Sequence, residues 1–148
     1  MAFSKLKVTE INDVSNIDVQ KSDAEMYTAL TENDSDGVYG CYFDMQERDD
    51  KYLLVVHNTN PSSAVTITVK AGNGMGGSVD LVSTSIGGNN KAPFTIESGR
   101  FKWMTNNDGY IDINKTIRHG VSDLSEKGKV FITASGSGAS IAVIRVAV

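Results

Sequence analysis

One cysteine, two prolines, two histidines and one tryptophan in 148 residues leave this chain short of several kinds of chemistry. With Cys41 alone no intramolecular disulfide can form, which excludes a disulfide-stapled secreted scaffold. Cys41 lies in the apolar run Val38-Tyr39-Gly40-Cys41-Tyr42-Phe43, where a buried, inert thiol is expected rather than a nucleophile. A zinc site built on His57 and His119 would have to take most of its further ligands from carboxylates, and His57 falls in phase with Leu53 and Val55, as a strand-end residue does. No Ser-His-Asp or Cys-His arrangement stands out, and no metal or cofactor site is expected. Long apolar runs are missing: no window approaches the ~18 residues of a membrane span, and Met-Ala-Phe-Ser-Lys-Leu-Lys has no apolar signal core. The expectation is a protein made in the cytosol that leaves only by lysis or within an assembly. Positive charge is short too. Fourteen Lys and Arg against eighteen Asp and Glu give a net charge of −4, which argues against nucleic acid or an anionic membrane as the main partner.

What the chain has is period-two alternation. In Ala64–Ala71 the side chains of Val65, Ile67 and Val69 fall on one face and Thr66, Thr68 and Lys70 on the other. β-Branched residues at that period form a half-buried strand. Comparable runs predict strands at Glu25–Leu30, Val38–Phe43, Tyr52–Asn58, Ala64–Ala71, Leu81–Ser85, Phe94–Glu97, Phe101–Met104, Lys129–Ala134 and Ile141–Val148, separated by Gly, Asn, Asp, Ser or Pro clusters. Many short strands with few helical windows predict an all-β fold, an antiparallel β-sandwich or jelly-roll-like domain of about 8–9 strands over residues 24–148. Residues 1–23 read as an extended N-terminal arm with a short strand at Leu6–Thr9. The best helical window, Asn114–Ser125, is interrupted by Gly120.

Three polar segments imitate binding motifs. Gly72, Gly74 and Gly77 match G-x-G-x-x-G after a strand, but residues 78–85 are poor helix formers, so the helix N-terminus that holds a pyrophosphate is lacking and a flexible β-connection is expected. Glu32–Gly37 opens like a calcium loop, yet Phe43 stands where the closing acid belongs, so a turn is expected. Thr105-Asn106-Asn107-Asp108-Gly109 is a hairpin turn signal and Glu47–Lys51 a mixed-charge solvated turn.

Tyr52–Asn58 and Ile141–Val148 are apolar on both faces, which a sheet with one wet face does not need. Either the arm and loops cover the second face or another subunit does. Trp103, near Phe101 and Tyr110, reads as a core or subunit anchor before a sugar platform.

Over roughly residues 51–148, the order of Lys51–Asn58, Ala64–Gly74, Glu97-Ser98-Gly99-Arg100-Phe101, Lys127-Gly128-Lys129-Val130 and the closing β-run resembles the head decoration, or auxiliary capsid, proteins of tailed phages. Residues 1–50 have no counterpart in that resemblance, and Asp108–Ser125 departs from it. The resemblance implies a non-enzymatic virion structural protein with no cofactor. Many copies would bind the outside of a capsid shell and stabilise it, and the partners would be the major capsid protein and copies of itself in a homo-oligomer. The alternative is a carbohydrate-binding or host-adhesion module using Trp103 and Tyr110. Candidate partner contacts are Phe3, Leu6, Val8 and Ile11 on the arm, with Trp103 and Tyr110 on the domain.

Overall fold

A computed structural model describes residues 4–11, 21–31, 38–45, 51–72, 79–103 and 128–146. They form β1 (Ser4–Lys5), β2 (Val8–Ile11), α1 (Asp23–Met26), β3 (Tyr27–Ala29), β4 (Tyr39–Asp44), β5 (Lys51–Asn58), β6 (Ile67–Val69), β7 (Leu81–Val82), β8 (Lys91–Glu97), α2 (Ser98–Phe101), β9 (Lys129–Ala134) and β10 (Ala139–Val146). The all-β sandwich is borne out. One sheet, A, has the order β1-β4-β9-β6-β7, and the other, B, has the order β2-β10-β5-β8 with β3 also on β10.

Alternation decides which residues face inward. From sheet A, Cys41 and Phe43 lie opposite Ile132 and Val130, and Val69 opposite Ile132. From sheet B, Leu54 and Val56 lie opposite Val143 and Ile141. All of these belong to one buried core, where the Phe43 and Tyr52 rings meet at 5.2 Å between centroids.

The segment read as an arm is extended, but it is not a free tether. Ser4 and Lys5 pair in parallel with Cys41 and Tyr42 of sheet A. The chain then crosses to sheet B, where Val8–Ile11 pair in parallel with Val143–Val146. These two pairings make both sheets mixed rather than purely antiparallel. At the crossing the Leu6 amide donates to the Tyr42 carbonyl at 2.8 Å, and its side chain, 3% exposed, enters the core between the sheets. One stretch of chain thus forms the edge of both sheets on one flank. Leu6 as a partner contact is thereby corrected, because its apolar surface is already covered by its own domain. Val8 packs against the same core, Ile11 is placed as the last residue of β2, and Phe3 lies outside the described residues. A truncation lacking the arm should therefore open the sandwich rather than leave it intact. Leu6→Ala alone is expected to cost about 2–3 kcal/mol, at the lower end for buried leucines because the site is at the flank. Chemical denaturation with an unchanged slope checks this, and a midpoint equal to wild type would show that the segment adds nothing to the fold.

Other local readings change for identifiable reasons. Glu25–Leu30 begins as a helical turn instead of a strand, because Ser22 caps α1: its Oγ accepts from the Glu25 amide at 3.3 Å while Glu25 Oε1 accepts from the Ser22 amide at 3.4 Å. Phe101–Met104 is not a strand throughout. Phe101 closes α2, and Trp103 then makes two backbone bonds with the start of β9, to the Lys129 carbonyl and from the Gly128 amide. Gly72 of the glycine-rich segment has a packing explanation: a Cβ there would collide with the Lys102 carbonyl oxygen, so only glycine lets the two backbones touch. The rest of that segment, the Glu32–Gly37 loop, the 105–109 turn, residues 47–50 and the 114–125 window lie outside the described residues.

Candidate functional site

Among the described residues, the flank opposite the crossing is open. Its edges are β7 of sheet A and β8 of sheet B, and between them runs a groove of about 230 Å³ lined by Ile67, Val69, Leu81, Val82, Pro93 and Phe94, among others. Ile67 and Val69 are core residues seen from the side, so the groove reaches the interior of the sandwich. At its rim Val82 is 58% exposed, and nearby Val79 is 63% exposed; among the described residues these are the large apolar side chains left most open to water.

The backbone at this edge is guarded. The Asn58 amide donates to the Asn90 carbonyl, so alternation turns the backbone groups of Lys91, Pro93 and Thr95 away from β5. Proline at the middle of these three positions removes a donor that no ladder bond uses, and leaves the edge a poor template for an added strand. On the β8 side, contacts through side chains are thereby favoured over an added strand. Behind the groove, Lys70 Nζ and Asp80 Oδ2 form a largely buried ion pair at 2.7 Å, and Asp80 Oδ1 accepts from the Ala71 amide at 2.7 Å. These bonds tie the end of β6 to the residue before β7.

The outward face of sheet B is the second candidate surface. The register sets Lys91, His57 and Ser140 in one row, then Pro93, Val55, Ala142 and Tyr27, then Thr95, Leu53 and Ile144. Leu53, Val55 and Ile144 are half-buried, so the doubly apolar strands carry a second, thinner apolar layer on this side. Within the described residues the arm widens this sheet instead of roofing it. His57 stands edge-on to the Tyr27 ring at 6.1 Å, and Lys91 Nζ lies 6.0 Å from the same ring's centre. The sequence places Ser140 and His57 far apart; only the β5–β10 register makes them neighbours.

Other ion pairs among the described residues join strand to strand. Asp44 sits between Lys5 at 3.1 Å and Lys129 at 3.2 Å. Burial pushes its carboxyl pKa upward, but the hydrogen bonds and charges of the two lysines outweigh this and hold it below the ordinary carboxylate value. Arg145 meets Glu10 at 2.9 Å, fastening β2 to β10. The Cys41 thiol is buried, donates weakly to the Ile132 carbonyl at 3.6 Å, and is pushed far up in pKa by burial, so it is not nucleophilic in the folded chain. Among the described residues no three His, Cys, Asp or Glu side chains gather to hold a metal ion.

No family model, curated protein or solved structure matches this chain.

Trp103 and Tyr110 fare differently from their sequence reading as a pair. Trp103 is 1% exposed and stands edge-on to Phe131 at 6.3 Å, with Phe131 against Tyr42 at 6.2 Å, in a small cluster on the outer side of sheet A. An indole so enclosed offers no face to a sugar or a partner, and its place among the contact residues is corrected to a packing role. Tyr110 and His119 lie outside the described residues.

Proposed function

We propose that this chain is a non-enzymatic virion structural protein that binds the outside of a phage capsid shell, reinforces it, and uses its open β7–β8 flank as the contact. The observation that carries this reading is exposed Val82 at the rim of an apolar groove, with exposed Val79 shortly before it in the chain and a β8 edge that is a poor template for an added strand. The order of β-motifs shared with decoration proteins supports it. So do the positions of the charged groups, which join strand to strand as a stiff, strain-bearing slab requires.

A protein that binds the expanded shell and not its precursor stabilises the state it recognises by mass action. Each contact can be weak, because copies fixed on one lattice raise one another's effective concentration. Burying one exposed valine contributes about 1.5 kcal/mol, roughly a tenfold change in affinity. The test is co-sedimentation with expanded shells assembled from the major capsid protein of the same genome. The wild-type chain should pellet with the shells and raise their melting temperature. Val82→Lys, which is surface-exposed and should leave folding unaffected, should weaken binding at least tenfold, and Val79→Lys should do likewise. Absence of wild-type binding would overturn the assignment; full binding by both variants would move the contact to another face.

A further inference from the structure

We propose that the N-terminal strap, Ser4 to Ile11, exchanges between copies of this chain, so that the strap of one copy completes both sheets of another. The inference rests on the fold alone and does not depend on the capsid reading.

Three features of the strap's seat lead to it. First, both strap strands pair in parallel, and parallel neighbours cannot be joined by a tight hairpin. The strap joins the rest of the chain through residues 12–20, a length that fully extended spans roughly 30 Å. Second, the strap lies at the edge of each sheet, so its release breaks no pairing between other strands. Third, the groups described below that recognise it belong to the body of the domain. The Tyr42 carbonyl takes the Leu6 amide, Thr28 Oγ1 takes the Lys7 amide at 3.0 Å, and the Ala24 carbonyl takes Lys7 Nζ at 2.8 Å. Asp44 and Arg145 take Lys5 and Glu10.

A seat built this way accepts the strap of an identical chain with the same contacts, which is the condition for exchange. The closed and exchanged forms then differ little in enthalpy, and concentration decides between them. A chain's own strap competes at an effective concentration in the millimolar range, so exchange prevails where copies are crowded. The occupant is thus a second copy of this chain, and the contact would string neighbouring copies together.

Cys41 is too deeply buried to serve as a probe, so the trap is set at the outer-face register pair. Lys5 is the register partner of Tyr42, and adjacent strands lie about 4.8 Å apart, within the Cα range a disulfide spans. Full-length Lys5→Cys with Tyr42→Cys, in a Cys41→Ser background, is unfolded, refolded under reducing conditions at low and at high protein concentration, diluted, and only then oxidised. The expected result is a monomer with no free thiol from the dilute sample and a disulfide-linked dimer from the concentrated one, at least several-fold enriched. The dimer must vanish when either Lys5→Cys or Tyr42→Cys is present alone in the Cys41→Ser background, which excludes a bond between two identical thiols. Intramolecular bonding alone at every concentration, or no bonding at all, overturns the proposal.

Discussion

Replacing Asp80 by alanine should lower stability by about 3–5 kcal/mol, more than most core truncations, although Asp80 itself is partly exposed. The Lys70 side chain is only 5% exposed and its ammonium reaches Asp80 Oδ2 at 2.7 Å. Removing the carboxylate strands a buried cation and also frees the Ala71 amide from Asp80 Oδ1. The reverse change is milder. Lys70→Met leaves a carboxylate that is 25% exposed and still hydrogen-bonded, and should cost about 1–2 kcal/mol. Combining the two changes should recover much of the loss, since the buried charge is then absent. Urea titrations of the three variants decide the matter: if Asp80→Ala came within about 1 kcal/mol of wild type, the pair would be ornamental to the fold.

Asn58→Asp should cost about 3 kcal/mol or more, although it exchanges one atom. Asn58 is 0% exposed and fully bonded: Nδ2 donates to the Ser63 carbonyl at 2.7 Å and to the Ile86 carbonyl at 3.0 Å, and Oδ1 accepts from the Asn60 amide at 3.0 Å. Its main chain bonds Asn90 and Asn89, so a single residue joins β5, the 60–63 loop and the turn before β8. Gly138 closes over this site at positive φ, where a Cβ would stand 2.8 Å from Asn60 Cβ and 3.2 Å from Asn58 Oδ1. A carboxylate there would face two carbonyl oxygens with no proton to offer them. Burial raises such a group's folded pKa above its unfolded value near 4. The deficit relative to wild type should accordingly be smallest below that unfolded value and widen as pH rises through the folded one. Melting temperatures of both proteins across the acid range provide the check, and a constant difference would show that the new side chain escapes to solvent.

Where the period of two was unbroken the sequence could be read closely, as in Lys129–Ala134, which matches β9 at both ends, and Tyr52–Asn58, which misses only the first residue of β5. The errors came from features that interrupt a period. The strap's apolar spacing breaks at Leu6–Lys7 because the chain changes sheets there, so its two strands were read as one. β8 begins at Lys91 rather than Phe94, because Pro93 sits on an edge where its missing donor costs no ladder bond. The Ser22-x-x-Glu25 pattern was a helix-start signal that propensity alone passed over. The apolar groove was not legible at all. It exists because β7 and β8 end two different sheets on one flank, and which strands end a sheet depends on long-range pairing that no local window contains.

β10 touches β2, β3 and β5, strands drawn from the first half of the chain. It is the spine of sheet B: β5 and β8 can pair without it, but β2 and β3 enter that sheet only through it. Completing the sheet therefore waits for β10 to be synthesised, a late step dominated by distant pairings. A stop codon ahead of Ala139 would not trim the molecule; it would withhold the strand on which one of its two sheets is strung.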